Sequence, residues 1–425
     1  MSEPPEEVRI CLEELNGDSG RNDATPKRSE WPEEPEEASL PKFPELAWRG
    51  LFDTYRKVVA RSTEASDIFH FAGLWANAAA RLGRRVWYPF GMKLRPNIYI
   101  VCFGPTGDRK TTATRQATEI GTGLMVISGS GSGEGLAEEI SHETPGEGVL
   151  IHAEELSQIL KAGRWDGSTL IPTLTQCFDC PDKYEMKFRK SPISLDRPTP
   201  NILAGVTPEW FWRDFRVSDF QGGFGNRMFF LTGSPKPCIP RPELPDLAAI
   251  GRELEELAAV ESCKAQLDEK ACELWDKFYR AWREEEMKHS DSLFHVAVKR
   301  VPSYVLKLAM LYAASERTLP EIHADQLSAA ILVGRYGAEC ARELLSLQHT
   351  ATNPRKELEG RILAYVRTQN GKTASRRHIR RAVQRHYRDV EEFNRALDSL
   401  VRAEELFVKR PTGKGPTWIS TEELD

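Results

Sequence analysis

The sequence predicts an α/β protein built on a parallel sheet, and three observations carry that prediction. Short apolar runs alternate with amphipathic helical segments from Pro96 to about residue 242, the rhythm of βαβ units. The runs "NIYIVCF", "GVLIHAEEL" and "NILAGV" are continuously apolar, as strands covered on both faces are. One of them feeds a glycine-bearing turn and then a helix in "YIVCFGPTGDRKTTA", the local order of a phosphate-binding loop.

The elements follow in order. Residues 1–43 are rich in Glu, Pro and Ser, bury too little apolar surface to offset ordering entropy, and read as a disordered acidic leader. Residues 44–95 read as a helical segment, with "SDIFHFAGLWANAAARLG" opening on a Ser/Asp cap and stopping at glycine. Residues 96–242 form the α/β core, with strands at "NIYIVCF", "LMVISG", "GVLIHAEEL", "NILAGV" and "MFFLTG". Between the third and fourth of these, "KYEMKFRKSPISLD" alternates around Ser191-Pro192 and predicts an antiparallel hairpin. Residues 243–350 read as helical throughout. Residues 355–425 give three helices and a hairpin, "ELFVKRPTGKGPTWIST", the order of a winged helix.

Bulk properties narrow the class. The chain has 425 residues, 40% hydrophobic and 28% charged, with a net charge of -5, so no overall attraction to nucleic acid is visible. The charge is uneven, acidic in the leader and basic in the last segment, which can mark an interaction module or simple surface variation. Eight scattered cysteines in a chain of this length suggest a reducing compartment. The lone CxxC pair Cys177 and Cys180 lacks the second pair a structural zinc site wants. No run reaches the roughly 18 apolar residues of a membrane span and no apolar signal core is visible, so a cytoplasmic location without membrane contact is expected.

The chemistry is expected at the C-terminal ends of the strands. Gly104, Pro105, Thr106, Gly107, Asp108, Arg109, Lys110, Thr111 and Thr112 match G-x-x-x-x-G-K-[ST] except that Arg109 replaces the second glycine. In such a loop Lys110 reaches the terminal phosphates and Thr111 holds Mg²⁺; the alternative is a plain turn with a solvated Arg-Lys pair. The third strand ends in Glu154 and Glu155. The first suits the metal and its water shell and the second can orient or deprotonate an attacking water, or both are helix N-terminal acids favoured by the dipole. Thr207 ends the fourth strand, where it can sense a γ-phosphate or cap the next helix. Arg227, after a glycine-rich turn in "FQGGFGNRMFFL", suits a finger toward a neighbouring subunit's nucleotide, or is a surface arginine. Arg300 opens "VPSYVLKLAML" and can fold over the phosphates from the helical region, or is an exposed helix-start residue.

These pieces in this order resemble the AAA+ ATPases, and more narrowly the MCM-like and superfamily 3-like replicative helicases of mobile elements, among them the DUF3987 group found beside primases. The resemblance rests on "RPNIYIVCFGPTGDRKTT", "GSGEGLAEEI", "GVLIHAEELSQIL", "NILAGVTPEWF" and "GFGNRMFFL", and on a lid-like run from Arg300, and spans about residues 45–420. It implies an AAA+ P-loop core over 96–242, a helical lid over 243–350 and a closing winged helix. It implies ATP and Mg²⁺ as ligands, a ring, usually a hexamer, and DNA as partner, with priming left to a separate primase. Lys187, Arg189 and Lys190 of the hairpin would line the channel for single-stranded DNA. Arg376, Arg377, Arg380 and Arg381, with Lys409, Arg410 and Lys414 of the wing, would contact duplex; the alternative for the arginine cluster is a solvated helix face. The competing expectation is an ATP-binding DNA-replication or defence regulator, a helicase loader or a winged-helix DNA-binding switch, without unwinding activity.

Overall fold

The computed structural model describes residues 41–425 except 129–131, 166, 187–192, 289–291, 348–353, 370–371, 385–386, 388–389, 404, 410–416 and 422–425. Residues 1–40 of the acidic leader, the hairpin tip with Lys187, Arg189 and Lys190, and Arg410 and Lys414 therefore lie outside the described residues. The end of the leader does not, and there Phe43 departs from the disordered expectation, its ring packed against Trp48, Phe71 and Tyr336.

After a helix over Leu51–Val59, the helix Asp67–Leu82 is buried at every position from Ile68 to Leu82. Such all-round burial marks a central element rather than a surface one. Ser66 caps it, accepting from the Ile68 N–H, and Gly83 ends it at φ 56°. The chain then departs from the helical expectation for 44–95: β1 (Val86–Phe90) and β2 (Met92–Leu94) pair antiparallel about Gly91 at φ 73°. The reason is local. Gly83 stops the helix, and "VWYPF" combines β-formers with a proline that no helix interior accepts.

The core strands are β3 (Tyr99–Phe103), β4 (Met125–Ile127), β5 (Val149–Ala153), β8 (Pro200–Val206) and β9 (Phe229–Leu231). All neighbours pair in parallel, in the order β4-β5-β8-β3-β9. Every residue of β3, β5 and β8 is buried, as continuous apolar runs require. The architecture is thus α/β with an all-parallel five-stranded sheet, compatible with a phosphate-loop core. Between β5 and β8 the hairpin β6 (Lys183–Met186) and β7 (Ile193–Asp196) stands apart from the sheet, paired antiparallel as its alternation predicts.

Residues 243–350 are mainly helical, with helices Ala248–Ala258, Glu269–Lys288, Leu293–Val298, Val301–Ser315 and Ala324–Ser346. Three two-residue strands interrupt them: β10 (Cys263–Lys264), β11 (Gln266–Leu267) and β12 (Glu321–Ile322). β10 pairs with β1, tying this region to the β1–β2 hairpin, and β11 pairs with β12 within the region itself. The last segment has helices Pro354–Thr368, Arg376–Ala382 and Val390–Arg402. Its sheet runs β13-β15-β14, from β13 (Thr373–Ser375), β14 (Phe407–Lys409) and β15 (Trp418–Ser420). Its apolar core, with Ile362, Ile379, Phe393, Leu400 and Ile419, is separate from that of the α/β core.

Candidate functional site

β3 delivers the chain to the loop Gly104–Arg109, and the helix Lys110–Thr118 leaves it. The buried helix 67–82 holds that second helix in place. At Gly73 a Cβ would come within 2.5 Å of the Ala117 Cβ, so only glycine permits the packing distance seen. Asn77 donates to the Ala117 carbonyl at 2.7 Å. Arg81, 4% exposed, donates to Asn77 Oδ1 and to the Ile120 and Thr122 carbonyls, satisfying the end of the loop helix from a buried position. None of this bracing is legible in the loop motif itself.

Arg109 adopts φ 55° and ψ 28°, the left-handed region. This is the conformation that makes glycine the usual occupant here, and it costs a side-chain-bearing residue roughly 1–2 kcal/mol. The guanidinium does not enter the loop. It pairs with Glu64 at 2.7 Å, and Glu64 is anchored in turn by the Ile239 N–H at 2.9 Å. Lys110 turns back over the loop and donates to the carbonyls of Gly104 at 2.8 Å and Pro105 at 2.7 Å. Burial lowers its pKa, and the carboxylates of Asp108 and Glu155 oppose that shift. Asp108 folds back on the start of the loop, its Oδ2 lying 3.0 Å from where a Gly104 Cβ would stand, and its charge acts on Lys110. Pro105, Thr106, Gly107 and Thr112 are exposed and Thr111 is half-buried.

β5 ends at Ala153, so Glu154 and Glu155 emerge at the same edge of the sheet as the loop. Their environments differ. Glu154 is exposed and ion-paired with Arg115 of the loop helix. Glu155 is half-buried, its Oε2 is buried with no hydrogen-bond partner among the described residues, and burial raises its pKa against the pull of Lys110. A carboxylate oxygen left unsatisfied is costly and marks a position where a water or ligand belongs. β8 runs between β5 and β3, so Thr207 emerges between the acids and the loop. Its hydroxyl accepts from the Trp210 N–H at 3.4 Å as a helix cap. Asn201, at the start of β8, belongs to the opposite edge, where it joins Ile98, Val149 and Thr199 backbone groups.

Arg227 and Arg300 do not approach their own phosphate loop. Arg227 precedes β9 and therefore sits at the N-terminal edge of the sheet. It donates to the Gly223 carbonyl at 2.7 Å and to Asp179 at 3.0 Å, and its Nε is buried without a partner among the described residues. Arg300 joins the same carboxylate at 3.5 Å rather than folding over the phosphates of its own chain. The reason lies in the helix it opens. Buried Lys307 of that helix donates to the Asn97 carbonyl at 2.5 Å, just ahead of β3, and so docks the helix on the N-terminal edge. Arg227, Arg300 and Lys307 all lie within 6 Å of the Phe178 ring centroid. Burial pushes the Lys307 pKa down to about 7. The sequence offered one signal for this cluster, a lysine inside the apolar run "VPSYVLKLAML".

The remaining expected residues are placed as follows. Arg376, Arg377, Arg380, Arg381 and Lys409 are exposed on the C-terminal segment. Cys177 and Cys180 are buried free thiols with pKa values raised by burial, that of Cys177 to about 12, so neither is a ready thiolate. Among the described residues no group of three or more His, Cys, Asp or Glu could hold a metal ion, and no helix is long and apolar enough to cross a membrane. No protein-family model matches the chain, and no curated protein matches it.

Proposed function

We propose that this chain is an ATP-hydrolysing motor that acts on DNA, with ATP bound at the Gly104–Thr112 loop and hydrolysed between subunits of a ring. The observation that carries the reading is the unsatisfied, half-buried carboxylate of Glu155. It emerges beside Lys110 at the shared edge of a five-stranded parallel sheet. Three features of the loop agree: its backbone opens into a helix N-terminus, Lys110 overhangs it, and Arg109 is turned away toward Glu64.

In this reading Lys110 leaves the Gly104 and Pro105 carbonyls and neutralises the terminal phosphates. Thr111 and Glu154 are the residues that would hold Mg²⁺, Glu154 exchanging Arg115 for it; the ion supplies charge neutralisation of the phosphates. Glu155 accepts the proton of the attacking water. Its burial raises its basicity, as a general base at neutral pH requires. Thr207, at the end of β8 between the acids and the loop, senses the γ-phosphate or aligns the water while capping the Pro208–Asp214 helix.

Arg227 and Arg300 sit at the far edge of the sheet. A five-residue strand at ~3.3 Å per residue puts roughly 16 Å between the two edges. Side chains at that edge can serve only a neighbour's nucleotide, so the reading requires a ring, taken as a hexamer, with Arg227 as its finger. The helices of 243–350 then act as the lid, and the C-terminal three helices and sheet as a winged helix, with Arg376, Arg377, Arg380, Arg381 and Lys409 toward duplex DNA. A primase would be a separate partner.

The test mixes two inactive variants, Lys110→Ala and Arg227→Ala. In a mixed ring some interfaces join an intact loop to an intact finger, so ATPase activity returns on mixing. Activity in Arg227→Ala alone at the wild-type level would remove the finger assignment. A second reading, an ATP-binding switch without a motor cycle, is favoured by the carboxylate of Asp108, whose charge competes with phosphate for Lys110. Strand separation by the wild type distinguishes the two.

A further inference from the structure

A cleft of about 500 Å³ opens at the N-terminal edge of the sheet, away from the phosphate loop, and four arginines line it: Arg84, Arg85, Arg95 and Arg197. The volume falls in the range of ~300–1,000 Å³ typical of ligand sites. Its walls hold two carboxylates, Glu147 and Asp182, so the cations are in excess. Arg85 is committed to Glu147, with bonds of 2.5 and 2.8 Å. Arg84 is nearly buried and donates to Asp182 at 2.5 Å and to the Cys180 and Pro181 carbonyls at 2.6 and 3.2 Å. Arg95 donates to the Arg84 carbonyl, with no carboxylate at ion-pair distance among the described residues. Arg197 is half-exposed and reaches its neighbour Asp196 only at 3.9 Å.

The cleft is a product of the fold rather than of one flexible segment. Arg95, Glu147, Asp182 and Arg197 each lie one to four residues ahead of a strand: β3, β5, β6 and β8. Gly146, at φ +91°, forms a floor: a Cβ there would lie 3.6 Å from Arg84 Cδ and 3.7 Å from Arg197 Nη1. Asp182 and Arg197 are also the two feet of the β6–β7 hairpin, closed by the Arg197 N–H donating to the Asp182 carbonyl at 2.9 Å. One wall of the cleft is Trp87, whose ring already carries the Lys93 ammonium 5.2 Å from its centroid.

We propose that this cleft holds the phosphodiester backbone of a single-stranded nucleic acid, with a base against Trp87, at the foot of the hairpin. Surplus guanidinium forks match phosphate oxygens, and an aromatic wall beside them supplies sequence-tolerant stacking. The inference rests on the DNA-directed reading above and adds a contact on a different edge of the sheet from the nucleotide loop.

The test uses the full chain, a fluorescently labelled dT oligonucleotide and a fluorescent ATP analogue. Arg95→Glu with Arg197→Glu should weaken oligonucleotide binding at least tenfold. It should also lower the slope of log K against log salt by about 1.4, at roughly 0.7 per single-strand phosphate contact. ATP-analogue binding should stay within twofold. Arg197→Glu alone, at an exposed position, should give a smaller loss in the same direction, which separates the effect from misfolding. Trp87→Phe should remove an oligonucleotide-dependent fluorescence quench. Unchanged oligonucleotide affinity in the double variant overturns the cleft and leaves the nucleotide site standing. No oligonucleotide binding by the wild type, with the ATP analogue bound, also overturns it. Displacement of the oligonucleotide by equimolar dTMP or inorganic phosphate would assign the cleft to a free anion and overturn the nucleic-acid assignment.

Discussion

Replacing Arg109 by glycine and by alanine isolates the strain in the phosphate loop. Arginine occupies the left-handed region at φ 55° and ψ 28°. Both replacements remove the same ion pair with Glu64, so that loss cancels in the comparison. Alanine retains the clash between Cβ and backbone, worth roughly 1–2 kcal/mol, and glycine relieves it. Glycine gives back about 0.5–1 kcal/mol through the greater freedom of its unfolded chain. The Arg109→Gly protein should therefore be more stable than Arg109→Ala, by about 0.5–1 kcal/mol. Urea denaturation followed by circular dichroism, fitted with a common slope for the first transition, reads this difference directly. ATP affinity in the glycine variant should equal or exceed that of the wild type, since the Arg109 side chain lies outside the loop. An alanine variant as stable as the glycine variant, or more so, would refute the left-handed assignment and with it the explanation of why glycine is usual at this position.

Further outcomes follow from the geometry at three residues. Glu155→Gln should keep ATP affinity within threefold while hydrolysis falls at least a hundredfold. Because burial raises the Glu155 pKa, the acid limb of the wild-type ATPase profile should lie above the ordinary glutamate value of about 4.3. The same sign makes the wild type lose stability relative to the variant as pH rises through that range, which paired melts at pH 4 and 7 would read. Asp108→Asn removes a negative charge that acts on Lys110 and should tighten ATP binding about fivefold, roughly 1 kcal/mol at an effective dielectric between protein and water, measured by calorimetry. Lys307 has a folded-state pKa lowered to about 7, so the folded chain binds fewer protons than the unfolded one between pH 7 and 10. Wild-type stability should rise with pH across that window relative to Lys307→Met, by at most about 1.4 kcal/mol per pH unit, and parallel pH dependences of the two would count against the buried placement.

The parallel sheet is legible in the sequence because β3, β5 and β8 are covered on both faces, and only apolar runs survive there. The β6–β7 hairpin is legible from its alternation. The β1–β2 hairpin is not, because after Gly83 and the polar Arg84-Arg85 the run "VWYPF" has no polar alternation to mark a half-buried strand, and only Pro89 and Gly91 speak against a further helix. Within the site, Gly104–Thr112, Glu154 and Glu155 are visible as local patterns at strand ends. The partners that define their chemistry are not. Glu64 lies 45 residues before Arg109, and Asn77 and Arg81 reach the end of the loop helix from a helix that has no motif of its own. The placement of Arg300 escapes a sequence reading because a helix start says nothing about which sheet edge it meets. Lys307 and Asp179 decide that, and both are long-range contacts.

The proposed motor depends on a triphosphate seated over Lys110. Titration calorimetry of ATP and Mg²⁺ into the wild type and Lys110→Ala tests this most directly. The expected result is saturable binding near one site per chain, weakened at least tenfold by the substitution while the variant's circular dichroism is unchanged. Equal binding by both proteins, or no binding by the wild type, would contradict it.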